Sequence, residues 1–412
     1  MFRSLATTAC LVLLSGAASA QTTQGEDNQS FDRIERGRYL SVLGDCAACH
    51  TAPGKPAFAG GLGLQTPFGT IYSPNITPDN DTGIGSWTDE EFVAALRDGK
   101  GKKAHLYPAM PYPAYTKLSD EDALAIRAYL STIQPVSARR KDNELPFPLN
   151  VRSVMVFWNW LNFTGGRYQP NPQKSAEWNR GAYIVEALAH CSTCHTPKTS
   201  LGADKTARGF EGATLQGWFA PNITSDSHQG IGAWSKEEIV QYLKSGANRW
   251  TLASGPMADA VSHSTSKMTD KDLAAIAVYL KDIGGSAGAK PAPLPADASA
   301  MRVGAAVYKD SCAACHKDSG SGEIRLFPRL AGSAMVQADD PTTLTRVVLQ
   351  GTRAVSTPDA PTAPAMPAFD WRLDDVQVAA VLTYIRNSWG NAATPVDAKS
   401  VASQRGSLAK AP

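Results

Sequence analysis

Three pairs of segments carry apolar residues at helical spacing, and each pair repeats the same punctuation. The first member reads Arg36-Gly37-Arg38-Tyr39-Leu40, then Arg180-Gly181-Ala182-Tyr183-Ile184, then a looser Val303-Gly304-Ala305-Ala306. The second member reads Ala125-Ile126-Arg127-Ala128-Tyr129-Leu130, Ala275-Ile276-Ala277-Val278-Tyr279-Leu280 and Ala380-Val381-Leu382-Thr383-Tyr384-Ile385. Each pair predicts an N-terminal and a C-terminal helix that cross closely where the glycine leaves room. Helix starts are marked as well. Thr88-x-x-Glu91 and Ser235-x-x-Glu238 are capping boxes, and Ser119-x-x-Asp122 and Thr269-x-x-Asp272 are acidic variants. Little alternates with a strand period, so the expected fold is all-α, in three tandem units.

Two apolar stretches break this rhythm. Residues 1–20 run from Arg3 through an apolar segment, Leu5 to Leu14, to Ala18-Ser19-Ala20, which is the pattern of a signal peptide cut after Ala20. Val151 to Phe163 is apolar and aromatic. It is too short to span a bilayer, and fits either a membrane interface or a segment packed between domains. Proline- and glycine-rich stretches then divide the chain. Domains are expected at 30–135, 176–283 and 298–390, with linkers at 136–175 and 284–297 and a polar tail at 391–412.

Composition narrows the class. Hydrophobic residues make up 43% and charged residues 19%, as in a globular chain, and a net charge of +2 lacks the basic surplus of a nucleic-acid binder. The seven cysteines are too sparse for a disulfide framework over this length. One of them, Cys10, belongs to the signal segment. The other six form Cys46-Ala47-Ala48-Cys49-His50, Cys191-Ser192-Thr193-Cys194-His195 and Cys312-Ala313-Ala314-Cys315-His316. C-x-x-C-H is the attachment motif of c-type haem. Two thiols on one side of a helical turn each reach a haem vinyl group, and the next residue puts an imidazole on the iron. A zinc site would need a fourth ligand at matching spacing, and a thioredoxin-like motif would not repeat with histidine always at one offset. Three haem c groups are expected, consuming all six cysteines.

Each histidine is followed at a similar distance by a methionine beside proline: Met110, Met257 and Met366. Proline fixes the backbone of such a loop and can hold the sulfur at the iron. The chain's five other methionines lack this placement, with Met335 the next choice for the third site. Expected axial pairs are therefore His50/Met110, His195/Met257 and His316/Met366. The first two units share Pro74-Asn75-Ile76-Thr77 with Pro221-Asn222-Ile223-Thr224, and Gly83-Ile84-Gly85-Ser86-Trp87 with Gly230-Ile231-Gly232-Ala233-Trp234. These read either as loops whose Asn and indole N–H groups donate to haem propionates, or as plain turns around a core tryptophan.

With these motifs assembled, the chain resembles the trihaem cytochrome c subunits of bacterial membrane-bound dehydrogenases that oxidise alcohols, sugars or aldehydes. Glu177-Trp178-Asn179-Arg180-Gly181 through Cys194-His195-Thr196-Pro197 is especially similar. The resemblance implies three class I cytochrome c-like domains on the periplasmic side of the cytoplasmic membrane. It also implies a catalytic partner with a flavin, quinone cofactor or molybdenum centre, and ubiquinone as acceptor in the respiratory chain. Met257 departs from the pattern, because Ala258 follows it where the other two methionines have proline. No protease, phosphate-loop or nucleotide motif occurs, so an electron-transfer role without a catalytic site is expected. The alternatives are a free periplasmic or oxidase-linked carrier and a multihaem peroxidase-type enzyme. The third domain differs most and is expected to face the dehydrogenase.

Overall fold

A computed structural model describes residues 30–285 and 290–409. The cleavage site after Ala20, Cys10 and part of the second linker lie outside the described residues. In the first domain, α1 (Phe31–Leu43) begins at the Ser30 cap and α2 (Cys46–His50) carries the first C-x-x-C-H motif. A short antiparallel ribbon follows, β1 (Gly63–Thr66) with β2 (Gly69–Tyr72). Then come α3 (Asp89–Asp98), α4 (Tyr112–Tyr115) and α5 (Asp120–Leu130). The next segment contributes α6 (Val154–Asn162).

The second domain repeats this order with α7 (Ala176–Tyr183), α8 (Ser192–His195), β3 (Ala213–Leu215), β4 (Trp218–Ala220), α9 (Lys236–Ser245), α10 (Pro256–His263) and α11 (Asp270–Asp282). Its first helix runs on through a π-helical turn, Ile184–Leu188, where Ala189 N–H reaches back to the Ile184 carbonyl. The third holds α12 (Ser299–Ser311), α13 (Ala313–His316), α14 (Ala334–Gln337), α15 (Thr342–Gln350), β5 (Thr352–Arg353), β6 (Ala365–Met366), α16 (Asp375–Arg386) and α17 (Ala398–Leu408). Helix dominates as expected, but each domain also has a two-stranded ribbon too short to show as a period in sequence.

The predicted crossings form. A Cβ at Gly37, Gly181 or Gly304 would collide with the carbonyl oxygen of Ala125, Ala275 or Ala380, so α1/α5, α7/α11 and α12/α16 cross at equivalent places. The capping boxes at Thr88/Glu91 and Ser235/Glu238 close in both directions. Asp122 and Asp272 do not close a box, because Arg36 and Arg180 hold their carboxylates instead. Residues 391–409 of the stretch read as a polar tail are folded onto the third domain. In it, α17 buries Val401 and Leu408, while Arg405 bonds Asp375 and the Leu373 carbonyl.

The first two domains share one apolar core, running from Leu40, Leu43 and Leu118 to Val185, Leu188 and Leu273. Their contact is reciprocal. Tyr183 O–H donates to Asp122 (2.6 Å), which Arg36 also bonds, and Tyr39 O–H donates to Asp272 (2.8 Å), which Arg180 also bonds. The Ser119 and Thr269 N–H groups donate back to the same two hydroxyls. Residue i of one domain thus meets j of the other, and j meets i, as in an isologous dimer made from one chain. The third domain has separate cores. It docks on the second mainly through polar contacts: Thr343 with both backbone groups of Phe219, Val355 N–H to Ala253, Arg329 N–H to Trp250 and Thr357 to Ser245.

Helix α6 has two distinct faces. Met155 and Trp158 pack with Tyr107, Tyr112 and Ala203, and the Trp158 indole donates to Leu201 in the second domain. Val156, Phe157, Trp160 and Leu161 point outward, with Trp160 77% exposed. Among the described residues no helix is long and apolar enough to cross a membrane.

Candidate haem sites

Each C-x-x-C-H motif occupies a short helical turn. Left-handed residues introduce two of them, Asp45 (φ 51°) and His190 (φ 37°). The turn brings the histidine to a common acceptor. His50 Nδ1 donates to the Pro74 carbonyl (2.8 Å), His195 Nδ1 to Pro221 (2.6 Å) and His316 Nδ1 to Pro328 (3.0 Å). Holding the proton on Nδ1 leaves the Nε2 lone pair free for a metal, and the backbone partner fixes ring orientation. Burial lowers all three histidine pKa values against the opposing carbonyls, so the rings stay neutral and able to ligate.

The three prolines were not identified from sequence as partners. Two open the repeated P-N-I-T loops, so the signal was there, but Pro328 lies 12 residues from its histidine where the others lie 24 and 26 away. The loops divide the two readings made of them. Asn75 is spent within the protein: its amide donates to Thr82 and Val136 and its oxygen accepts from Thr77 N–H. Asn222 likewise accepts from Thr224 N–H. The Trp87 and Trp234 side chains line the cavity described next, and neither indole has a protein acceptor among the described residues.

All twelve expected ligands and anchors line one continuous cavity of about 2190 Å³. That exceeds the ~300–1,000 Å³ of a single small-molecule site. Met110 sits in a turn, its N–H bonded to the Tyr107 carbonyl. The expected loop setting does not extend to the other two. Met257 is the second residue of α10, where Pro256 starts the helix, and Met366 lies in β6 opposite Thr352. A helix that continues through Ala258 explains why no proline follows Met257. Met335 lines the same cavity, as does His263, whose Nδ1 bonds the Asp259 carbonyl.

Burial pushes the Cys46 and Cys191 thiols up to about 12 and those of Cys49 and Cys312 to about 11. Such thiols are poor thiolate ligands or nucleophiles. Among the described residues no three His, Cys, Asp or Glu side chains converge as a metal cluster requires. The residues fit haem: neutral imidazoles with a free nitrogen, thioether sulfurs, paired thiols and an apolar cavity.

The first two motifs lie close together. The Asp45 charge acts on both Cys49 and Cys194, and α10 packs against α2. Burial pushes the Asp45 carboxyl up to about 8, and its Oδ1 has no hydrogen-bond partner. Toward the third site, Ser254 bridges to Ala354, beside the ribbon that carries Met366.

A cytochrome c family profile matches residues 34–134, 179–284 and 302–389. The chain belongs to the cytochrome c family and consists of three cytochrome c domains in tandem, and membership implies covalently bound haem c. It is 42% identical over 402 residues to the gluconate 2-dehydrogenase cytochrome c subunit of Pantoea cypripedii, covering 92% of this chain and 91% of that one. It is 41% identical to the cytochrome c subunit of a quinone alcohol dehydrogenase from Gluconobacter oxydans, covering 87% and 79%. A diheme cytochrome c-type protein of Cereibacter sphaeroides is 36% identical and matches 69% of this chain over 99% of its own length. The first two relatives are electron-transfer subunits of dehydrogenases rather than catalytic ones.

Proposed function

We propose that this chain is the trihaem electron-transfer subunit of a periplasmic dehydrogenase complex. It takes electrons from a catalytic subunit that oxidises an alcohol, sugar or aldehyde and delivers them to ubiquinone in the cytoplasmic membrane. The single continuous cavity lined by all three motifs carries this reading, since electron transfer needs cofactors near one another. Bound haem supplies reversible one-electron exchange at iron. The protein's part is to hold it. Cys46/Cys49, Cys191/Cys194 and Cys312/Cys315 would form the thioethers, and His50 with Met110, His195 with Met257 and His316 with Met366 would ligate the three irons. Three class I all-α shells exclude water around them. The proline carbonyls strengthen the histidines as donors, and methionine as the second ligand would favour a high potential suited to accepting electrons. Two protein ligands on each iron would leave no open position for peroxidase chemistry.

The outward face of α6 fits a bilayer surface, being aromatic, uncharged and adjacent to the first site. That orientation puts the first domain toward the membrane and the third toward the catalytic subunit. Removing the third domain then abolishes haem reduction by the partner's substrate, while a chemical reductant still reduces the remaining two haems. Substrate-driven reduction at an unchanged rate would reverse the relay.

A further inference from the structure

The segment between the first two domains does more than connect them. Arg140 and Arg152, both from this segment, line the cavity beside Tyr107, three residues before Met110. The half-buried Arg152 guanidinium lies over the Tyr107 ring at 4.7 Å and donates to the His105 carbonyl (2.9 Å). Neither arginine has a carboxylate partner among the described residues. Nearby Glu144 is taken by Lys141 and Tyr72; of the cavity's other basic side chains, Lys117 and Lys198 are paired with Glu186 and Asp204, Arg329 bonds the Ala331 carbonyl, and Lys55 is exposed in the loop after the first motif. Burial lowers the Arg152 pKa, and the neighbouring Arg140 charge lowers it further. Arg152 is partly withdrawn from water with the exposed Arg140 charge near it, an arrangement that is costly unless an anion joins the two. A c-type haem brings two carboxylates, its propionates, on the edge opposite the vinyl groups.

We propose that Arg140 and Arg152 hold the propionates of the haem attached at Cys46 and Cys49. The interdomain segment thereby completes the first haem site. The inference rests on His50/Met110 as a haem site. A cation clamp over the propionates favours reduced iron, because it offsets negative charge that would otherwise stabilise the oxidised state.

The test is a spectroelectrochemical titration of the purified holoprotein, after a haemochrome assay. Fewer than three haems in the wild type would fail the underlying reading rather than this one. The redox wave displaced by Met110→Ala identifies the first haem. Arg152→Gln then shifts that wave alone to lower potential, Arg152→Lys restores most of the shift, and Arg140→Gln gives a smaller shift of the same sign. Arg140 makes no hydrogen bond among the described residues, so its variant folds even where Arg152→Gln does not. Three unmoved waves in Arg140→Gln, or an equal shift of all three, would overturn the proposal. A shift seen only with added inorganic phosphate would assign the pair to a free anion and equally overturn it.

Discussion

The second and third domains are each joined to a neighbour, but by different physics. Between the first and second, Tyr39, Arg180 and Asp272 mirror Tyr183, Arg36 and Asp122 around one shared apolar core. At the corresponding positions the third domain has Val303, Ala306 and Gln377, and Gln377 is occupied with capping α16. It cannot repeat the contact, so it docks through backbone and hydroxyl groups and keeps separate cores. One repeat unit has therefore been used twice as half of a fused pair and once as an attached module.

Truncation tests this difference most severely. A chain ending at residue 285 should be exported as a soluble protein with two haems per chain by haemochrome assay. A chain ending at residue 150 should fail to accumulate, because its half of the shared core is exposed. A stable one-haem first domain would break the comparison. Next in size is Met366→Ala, which should remove one sulfur-ligated low-spin haem and leave the fused pair's two intact in the visible and near-infrared spectrum. Unchanged ligation would pass the third site to Met335.

Smaller effects sharpen the contrast. Asp272→Asn weakens charged hydrogen bonds from Arg180 and Tyr39 and should cost about 2 kcal/mol in denaturant unfolding. The more exposed Asp375–Arg405 pair of the third domain should cost under ~1 kcal/mol when Asp375 becomes Asn. Equal losses would remove the distinction. Burial works to raise the Asp272 pKa, but the Arg180 hydrogen bond and charge prevail and hold it below the usual value. Its contribution is therefore complete above the unfolded pKa of ~3.9 and is lost as pH falls through the folded value. Tryptophan fluorescence should report the fused pair loosening below about pH 4 in the wild type, and the acid-linked part should be absent from Asp272→Asn. Smallest for stability is Phe157→Ser with Trp160→Ser on the exposed face of α6. It should leave all three haem spectra unchanged and reduce co-sedimentation with phosphatidylglycerol-containing vesicles. Undiminished binding would place membrane contact elsewhere.

Much of this was legible because covalent haem chemistry imposes a local, fixed spacing. The C-x-x-C-H motifs, the paired helices and the crossing glycines are short-range signals. What escaped depends on long-range partners. Arg36, Tyr39, Arg180 and Tyr183 were visible as a repeat, but nothing local reveals that each tyrosine crosses to the other domain's aspartate. The proline carbonyl behind each histidine was hidden for the same reason. Met257 and Met366 were placed in loops because flanking proline resembles loop punctuation, whereas Pro256 opens a helix and Met366 precedes proline at the end of a strand.

The central claim is that one chain holds three covalently attached haems, and the intact mass of the mature protein tests it most directly. The account predicts a polypeptide beginning at Gln21 plus three haems, with no titratable thiol after denaturation. A mass corresponding to two haems, accompanied by two free thiols, would contradict it.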